Sequence, residues 1–263
     1  MSLKADRREW NDLAERDGMW AVHSDPDRLG SWTADEFFAT GETEIASVMA
    51  GLEAHDLVPR AGRALDFGCG VGRLTRALGA RFADVVGVDQ SHAMIADACR
   101  LNADRGNLSF ELNERAGLPS LPSGSFDLVL SLITLQHVSS RAAIREYIRE
   151  FVRVTAPGGV IVFQLPTSIG WQIRLHPLRV LNRALRAAPV APRWALKRLM
   201  PYSMRLVGLP EEEVRAILAA AGAPVAVALP DNRTGSDAAP SMAYAARREG
   251  TASQITQPAR HTR

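Results

Sequence analysis

From residue 63 onward, short apolar runs alternate with amphipathic helical patterns, and this alternation restricts the fold more than any other feature. Apolar runs of strand length cover residues 63–67, 84–89, 108–112, 126–132, 159–165, 225–229 and 241–247, and helical patterns cover 74–81, 91–103, 141–155 and 211–221. Strands buried on both faces have continuous apolar runs, and the helices between them cover a parallel sheet. We therefore predict an α/β fold with a mostly parallel sheet and helices on both faces.

The first 60 residues are predicted to be helical. We predict helices over residues 4–16 and 34–57, the second capped by Thr33. The stretch between them, residues 19–32, is polar but rich in aromatic residues. Two interpretations of this N-terminal segment remain open: a lid over a ligand site, or helices that only pack on the edge of the sheet.

Composition excludes several classes of protein. The chain of 263 residues, 46% hydrophobic and 23% charged, has the balance of a globular domain. Its two cysteines, Cys69 and Cys99, exclude a disulfide framework, and no signal peptide or run of about 18 apolar residues is visible, so we expect a cytoplasmic protein. A net charge of +2 argues against nucleic acid as a partner. The polar end, residues 248–263, is predicted to be a disordered tail.

The strongest local signal is the stretch ALDFGCGVGRLT, residues 64–75. A strand ends in Asp66, and Gly68, Gly70 and Gly72 then allow the backbone to approach a ligand before a helix begins. In the nicotinamide dinucleotide motif G-x-G-x-x-G, the third glycine would fall at Arg73. The G-x-G-x-G spacing therefore argues against a dinucleotide.

Four motifs in order identify a family resemblance. They are DFGCGVG at 66–72, VVGVDQS at 85–91, SFDLVLS at 125–131 and PGGVIVFQLP at 157–166. Together they resemble the class I S-adenosylmethionine-dependent methyltransferases. The resemblance implies a Rossmann-like, seven-stranded sheet in the order 3-2-1-4-5-7-6 with one antiparallel strand. It also implies S-adenosylmethionine as the cofactor.

The resemblance also implies cofactor contacts at particular positions. The loop from Asp66 to Gly72 would wrap the methionine portion of the cofactor, and the carboxylate of Asp89 would accept hydrogen bonds from both ribose hydroxyls. Asn113 or Glu114 would meet the adenine amino group, and the longer loop here leaves the choice between them open. The full set of implied cofactor-binding residues is Asp66, Gly68, Cys69, Gly70, Gly72, Asp89, Gln90, Met94, Asn113, Glu114 and Ser131, with Gln90 and Met94 flanking the adenine.

His137 is the candidate catalytic residue, because it follows the fourth strand at the edge where α/β sheets bind ligands. It is interpreted either as a general base, with an ordinary pKa near 6.5, or as a wall of the site. His23 and His176 would reach the site only if the N-terminal segment and the insert fold over it, and ordinary surface positions are expected instead. Cys69 is expected to be a small apolar filler. No residues have metal-ligand spacing, so no metal is predicted.

The stretch from 151 to 210 contains no acidic residue. Nine basic residues lie in it: Arg153, Arg174, Arg179, Arg183, Arg186, Arg193, Lys197, Arg198 and Arg205. Within the methyltransferase domain predicted over 61–247, residues 166–210 are predicted to form a helical, basic insert over the active site. This insert is interpreted as a solvated cap, as a grip for an anionic acceptor, or as a contact with an anionic membrane.

We predict methyl transfer to a small-molecule acceptor, at oxygen rather than nitrogen or carbon, with the oxygen preference based on His137. The Asn-Pro-Pro-aromatic signature of amino-methylating relatives is absent, because SLIT stands at 131–134. Two alternatives remain open: a lipid-linked or glycosyl acceptor at a membrane surface, and a cofactor-binding protein without catalysis.

Overall fold

Seven strands form one sheet with helices on both faces. A computed structural model of the chain describes residues 3–174, 177, 181 and 206–250. The strands are β1 (Arg63–Phe67), β2 (Asp84–Asp89), β3 (Leu108–Leu112), β4 (Phe126–Ser131), β5 (Thr155–Pro166), β6 (Val225–Asp231) and β7 (Ser241–Arg247). The helices are α1 (Leu3–Val22), α2 (Ala34–Glu53), α3 (Arg73–Gly79), α4 (His92–Leu101), α5 (Arg141–Val154), α6 (Trp171–Arg174) and α7 (Glu211–Ala220), with 3-10 turns at Pro26–Arg28 and Leu135–His137.

The strand order is β3-β2-β1-β4-β5-β7-β6. Strands β1 to β5 pair in parallel, and β7 runs antiparallel to both β5 and β6. The predicted α/β class, the strand order and the one antiparallel strand are confirmed. The centre of the sheet is dry because its runs are apolar on both faces, and Leu128, Val129 and Leu130 of β4 are fully buried.

The helices begin where side chains can satisfy the first free backbone N–H groups. Thr33 and Glu36 form a capping box at α2, Ser91 caps α4 and Ser140 caps α5. Helix α1 continues beyond the predicted 4–16 to residue 22, with a kink at Asp17, where ψ is 94°. The Asp17 carboxylate accepts the N–H of Trp20, so it restarts the helix after the kink.

Three apolar clusters hold the layers together. One joins α5 and α7 to one face of the sheet, and the second joins α2 and α3 to the other face. The third includes Leu13 and Trp20 of α1, Phe37 of α2, Val71 and Met94. It attaches the N-terminal segment to the loops after β1 and β2, so this segment packs at the carboxyl ends of the strands.

The insert leaves the sheet at the carboxyl end of β5 and returns to the same end of that strand. After β5, the N–H of Thr167 donates to the carbonyl of Pro240. On the return, the N–H groups of Val207 and Leu209 donate to the carbonyls of Gln136 and Pro166. His176, the basic residues from 179 to 205 and the tail from 251 onward lie outside the described residues. No helix in the described part of the chain is long and apolar enough to cross a membrane.

Candidate active site

The loop between β1 and α3 requires glycine at three positions. Gly68, Gly70 and Gly72 have φ of +79°, +54° and +87°, in the left-handed region that side chains disfavour. A Cβ would also lie 2.1 Å from Thr134 at position 68 and 2.3 Å from Val22 at position 70. The glycines therefore allow the loop both its backbone turns and its close packing beneath neighbouring segments.

Asp89 ends β2 directly beside this loop. Its Oδ2 accepts the N–H of Gly70 at 3.0 Å, and its Oδ1 accepts the N–H of Ser91 at 2.8 Å. Burial raises the pKa of Asp89, although its backbone hydrogen bonds oppose that rise. Each carboxylate oxygen has two lone pairs, so both oxygens can accept one further hydrogen bond. The site therefore presents a fixed, doubly accepting carboxylate.

Asp66 lies beneath the loop. It is 2% exposed, and Thr75 of α3 donates its hydroxyl to Asp66 Oδ2 at 2.7 Å. Burial raises the pKa of Asp66 to about 6, against the lowering effect of the Thr75 hydrogen bond and the Arg73 charge. Burial also raises the pKa of the Cys69 thiol well above its usual range. Cys69 is thus held as a neutral thiol, which is unsuited to nucleophilic chemistry.

Three further predicted contact residues occupy different environments. Ser131, the last residue of β4, is fully buried, and its hydroxyl has no hydrogen-bond partner among the described residues. Gln90 is half-buried next to Asp89. Met94 is 1% exposed and packs in the cluster with α1 and α2. The roles assigned to these residues stay predictions.

The two candidates for the adenine amino group also differ in environment. Asn113 is buried, and its Nδ2 donates to the carbonyl of Gly117 at 2.8 Å, which closes the loop after β3. The side chain of Glu114 is exposed and forms an ion pair with Arg7 of α1 at 3.2 Å. Which of these two residues binds the adenine amino group stays a prediction.

His137 lies on the 3-10 turn after β4, where the sequence predicts it. The Trp10 ring of α1 packs edge-on against the imidazole, with 5.4 Å between ring centroids. The buried Asp6 carboxylate accepts the N–H of Ser139 at 3.0 Å. Helix α1 therefore holds the histidine loop through both an aromatic contact and a charged hydrogen bond.

Two glutamines beside His137 escaped the sequence analysis. Gln164 of β5 is fully buried and accepts the N–H of Ile133 through Oε1 at 3.2 Å. Its Nε2 donates to Oε1 of Gln136 at 3.3 Å, and Nε2 of Gln136 lies 3.2 Å from Nε2 of His137. Gln164 is the single polar side chain in the run GVIVFQL, and a polar residue in a central buried strand is a signal that points to a site.

His23, expected at an ordinary surface position, is half-buried beside the segment that packs on the glycine loop. It follows Val22, which packs on Gly70, and its ring lies 5.4 Å from that of Trp32. Burial lowers the pKa of His23, and the charge of Arg73 lowers it further, whereas Glu44 raises it. The extension of α1 to Val22 brings the chain to the glycine loop one residue before His23.

Arg73 occupies the position where a dinucleotide motif has its third glycine. Its side chain is almost fully buried and donates to Thr40 at 3.3 Å and to Glu44 at 3.2 Å, both on α2. The other oxygen of Glu44 accepts from Arg233 at 2.6 Å, and Arg233 also pairs with Asp231. These charges connect the start of α3, helix α2 and the hairpin between β6 and β7.

One helix therefore contacts the loops after four neighbouring strands. Along α1, the contacts are Asp6 with Ser139, Arg7 with Glu114, Asn11 with Ser91, and Val22 with Gly70. These loops follow β4, β3, β2 and β1 respectively. The described residues contain no group of three His, Cys, Asp or Glu side chains that could hold a metal ion.

Comparison with known proteins agrees with this geometry. Residues 65–163 match the family described as "Methyltransferase domain". The chain is 26% identical over 155 residues to 2-methyl-6-phytyl-1,4-hydroquinone methyltransferase of Synechocystis, covering 59% of this chain and 48% of that protein. It is 35% identical over 100 residues to a ubiquinone biosynthesis O-methyltransferase of Bradyrhizobium, covering 38% of each.

Among solved structures, magnesium protoporphyrin IX methyltransferase from Synechocystis with bound SAH superposes with a TM-score of 0.60 and 20% identity, covering 94% of this chain and 99% of that chain. At this identity the likeness shows the shared fold. The fold is that of a Rossmann-like methyltransferase.

Residues 65–163, which run from within β1 to within β5, therefore form a methyltransferase domain, and its fold is that of the class I, Rossmann-like methyltransferases. The chain spans half or less of the length of the two curated relatives it matches above.

Proposed function

We propose that this protein binds S-adenosylmethionine across the carboxyl ends of β1 and β2 and transfers its methyl group to a small-molecule acceptor. The observation that carries the proposal is the Asp89 carboxylate, which is held by the N–H groups of Gly70 and Ser91 and retains acceptor capacity on both oxygens. A vicinal pair of ribose hydroxyls needs such a pair of fixed acceptors.

The other residues suit the same cofactor. The three-glycine loop admits a ligand close to its backbone, because side chains are excluded at Gly68 and Gly70. The buried hydroxyl of Ser131, without a partner among the described residues, supplies an unused donor at the end of β4. The cofactor's sulfonium provides a methyl group that is activated for in-line displacement.

The protein's own contribution is alignment and the exclusion of water. Helix α1 covers the loops after β1 to β4, and the Trp10 ring shields the His137 side of the site. We propose that α1 and the segment that follows it act as a lid, and that His137 is a wall of the acceptor pocket. We propose His23 and Trp32, whose ring centroids lie 5.4 Å apart, as a second wall.

For the acceptor, we propose methylation at oxygen, the atom predicted from the sequence. One relative is named as an O-methyltransferase, which supports an oxygen acceptor. The lipid-linked alternative depends on basic residues outside the described part of the chain, so we do not propose it. We expect the protein to act in the cytoplasm, where its two free cysteines stay reduced.

Calorimetric titration with S-adenosylmethionine and S-adenosylhomocysteine tests the cofactor site. We expect micromolar binding to the wild type and a loss of about tenfold to a hundredfold in Asp89→Ala, because a charged hydrogen bond contributes about 1.5–3 kcal/mol. Asp97→Asn on α4, which removes a surface ion pair with Arg100, is the matched control and should bind like the wild type. Equal affinity in Asp89→Ala would refute the ribose assignment.

Transfer of a labelled methyl group separates an enzyme from a protein that only binds the cofactor. The acceptor panel contains carboxylates, phenols, alcohols and amines at equal concentration. Label in an oxygen compound supports the proposal. Binding without transfer to any member, with the cofactor bound at micromolar affinity, would support the non-catalytic alternative.

A further inference from the structure

A directional line of hydrogen bonds connects the backbone of the histidine loop to the imidazole of His137. We name it the glutamine relay, and it runs from the N–H of Ile133 through Gln164 and Gln136 to Nε2 of His137. Its three links measure 3.2, 3.3 and 3.2 Å. Both glutamines are almost completely buried, at 0% and 3% exposure, so water does not replace either partner.

The backbone fixes the direction of every link. An N–H group only donates, so the Gln164 atom that faces Ile133 is the carbonyl Oε1. The Nε2 of Gln164 therefore faces Gln136 and only donates, so the atom that it meets is Oε1 of Gln136. This leaves the amide nitrogen of Gln136 opposite Nε2 of His137. An amide NH₂ has no acceptor capacity, so Nε2 of His137 must be the acceptor.

We infer that Gln164 and Gln136 are positioning residues that fix His137 in one neutral tautomer, with Nε2 accepting the Gln136 amide and the ring proton on Nδ1. For most histidines the hydrogen-bond network is compatible with either neutral tautomer, and one of them has to be chosen. Here the starting N–H belongs to the main chain, so the assignment cannot be reversed without breaking a link.

Backbone strain shows that the relay holds a specific loop conformation. Ile133 has φ of +58°, a left-handed value that is unfavourable for a β-branched residue and costs about 1–3 kcal/mol. Its N–H is satisfied by Gln164, and the carbonyl of Gln136 accepts the N–H of Val207 at 2.8 Å. The loop is thus held from β5 and from the end of the insert.

The relay has a consequence for the acceptor, which rests on the proposed function. With Nε2 engaged and Nδ1 protonated, His137 has no nitrogen ready to take a proton from the acceptor. The acceptor must therefore arrive with an ionised oxygen, such as a carboxylate. A lone pair of that oxygen forms the C–O bond while the S–C bond breaks with its electrons going to sulfur. The carboxylate charge is neutralised, and no proton is transferred.

Nuclear magnetic resonance of the cofactor-free protein tests the tautomer independently of binding or activity. The protein is labelled with ¹⁵N-histidine, and long-range ¹H–¹⁵N correlations are recorded at neutral pH. The chain has six histidines, so the spectrum of His137→Ala identifies the signals of His137. We expect an unprotonated Nε2 and a protonated Nδ1. An Nε2–H tautomer or a doubly protonated ring in the wild type would overturn the inference.

Variants then test whether the glutamines fix the tautomer. Gln136→Leu removes the donor to His137, and Gln164→Leu frees the Gln136 amide to turn over. Both should shift the His137 signals toward the Nε2–H form. Ser139→Ala alters the same loop outside the relay and should leave them unchanged. Wild-type signals in both folded glutamine variants would overturn the positioning role, and if neither variant folds, the wild-type spectrum decides.

The acceptor consequence has its own readout in the methyl-transfer panel. With the relay intact, carboxylates should accept the methyl group and simple alcohols should fail. Transfer to an alcohol that is lost in His137→Ala, while cofactor affinity stays unchanged, would show that His137 acts as a base and would overturn the acceptor class. Absence of cofactor binding would count against the proposed function alone.

Discussion

Replacement of Gly70 by alanine tests the contact between the end of helix α1 and the cofactor loop, because Val22 packs directly on Gly70. A Cβ built at Gly70 lies 2.3 Å from Cγ2 of Val22, and its next neighbours, Cβ and Cγ1 of the same valine, lie at 3.6 Å. Gly70 also has φ of +54°. The substitution therefore carries a backbone cost and a steric cost that come from different sources.

The two costs can be estimated separately. A left-handed conformation costs alanine about 1–2 kcal/mol, and overpacking in a close-packed region costs about 1–3 kcal/mol. Gly70→Ala should thus lower the free energy of unfolding by about 2–5 kcal/mol. In a Val22→Ala background the nearest remaining atom is Cβ at 3.6 Å, which is an ordinary contact. The coupling energy between the two substitutions should therefore be about 1–3 kcal/mol.

Urea unfolding of the four proteins in this double-mutant cycle measures the coupling. Gly30→Ala is the matched control, because Gly30 has φ of +73° with no atom within 4 Å of its Cβ position. It should show only the backbone cost. Independent sites are additive to within about 0.5 kcal/mol, so a coupling energy below that value would refute the close contact between Val22 and Gly70.

Two further predictions concern charges around the site. Burial raises the pKa of Asp66 from 3.8 to about 6, so the free energy of unfolding falls as pH rises from about 4 to about 6. In urea unfolding, the free energy of unfolding of Asp66→Asn should therefore rise by up to about 3 kcal/mol relative to that of the wild type between pH 4 and pH 7. A difference that does not change with pH would show that Asp66 is not desolvated. Burial opposes ionisation of Glu44, but Arg233 and Arg73 together hold its pKa below 4.5, so its stabilisation is present above that pH and is lost in acid. Glu44→Gln should cost about 2–4 kcal/mol at pH 7 and less at pH 4, because it leaves Arg73 buried without its carboxylate, whereas Glu53→Gln, exposed on the same helix, should cost almost nothing.

The α/β class followed from the sequence because it depends on local patterns. Each apolar run can be recognised as a strand within its own segment. Thr33 and Ser91 mark the starts of helices, and the three glycines mark a turn, each within a few residues. The motif from Asp66 to Gly72 and the acid at Asp89 likewise sit at strand ends that the pattern already defines. The strand order and the antiparallel strand came from the family resemblance.

Helix boundaries were harder to predict where a polar side chain caps a helix again after a kink, because the apolar periodicity is interrupted there. Helix α1 runs to Val22 because Asp17 kinks and recaps it at Trp20. With the helix ended at residue 16, the pattern gives no reason for Val22 to pack on Gly70, so this contact was not predicted.

By itself, the sequence determined the α/β class and the positions of the glycines and of Asp89, and the resemblance it carries added the strand order. Only the tertiary structure decided that α1 contacts the loops after β1 to β4 and that Gln164 and Gln136 form a line of hydrogen bonds to His137. These contacts join residues that are far apart in the chain, as Asp6 and Ser139 are. Such contacts depend on how the helices pack on the sheet. A local sequence pattern does not predict which polar atoms this packing brings within hydrogen-bond distance.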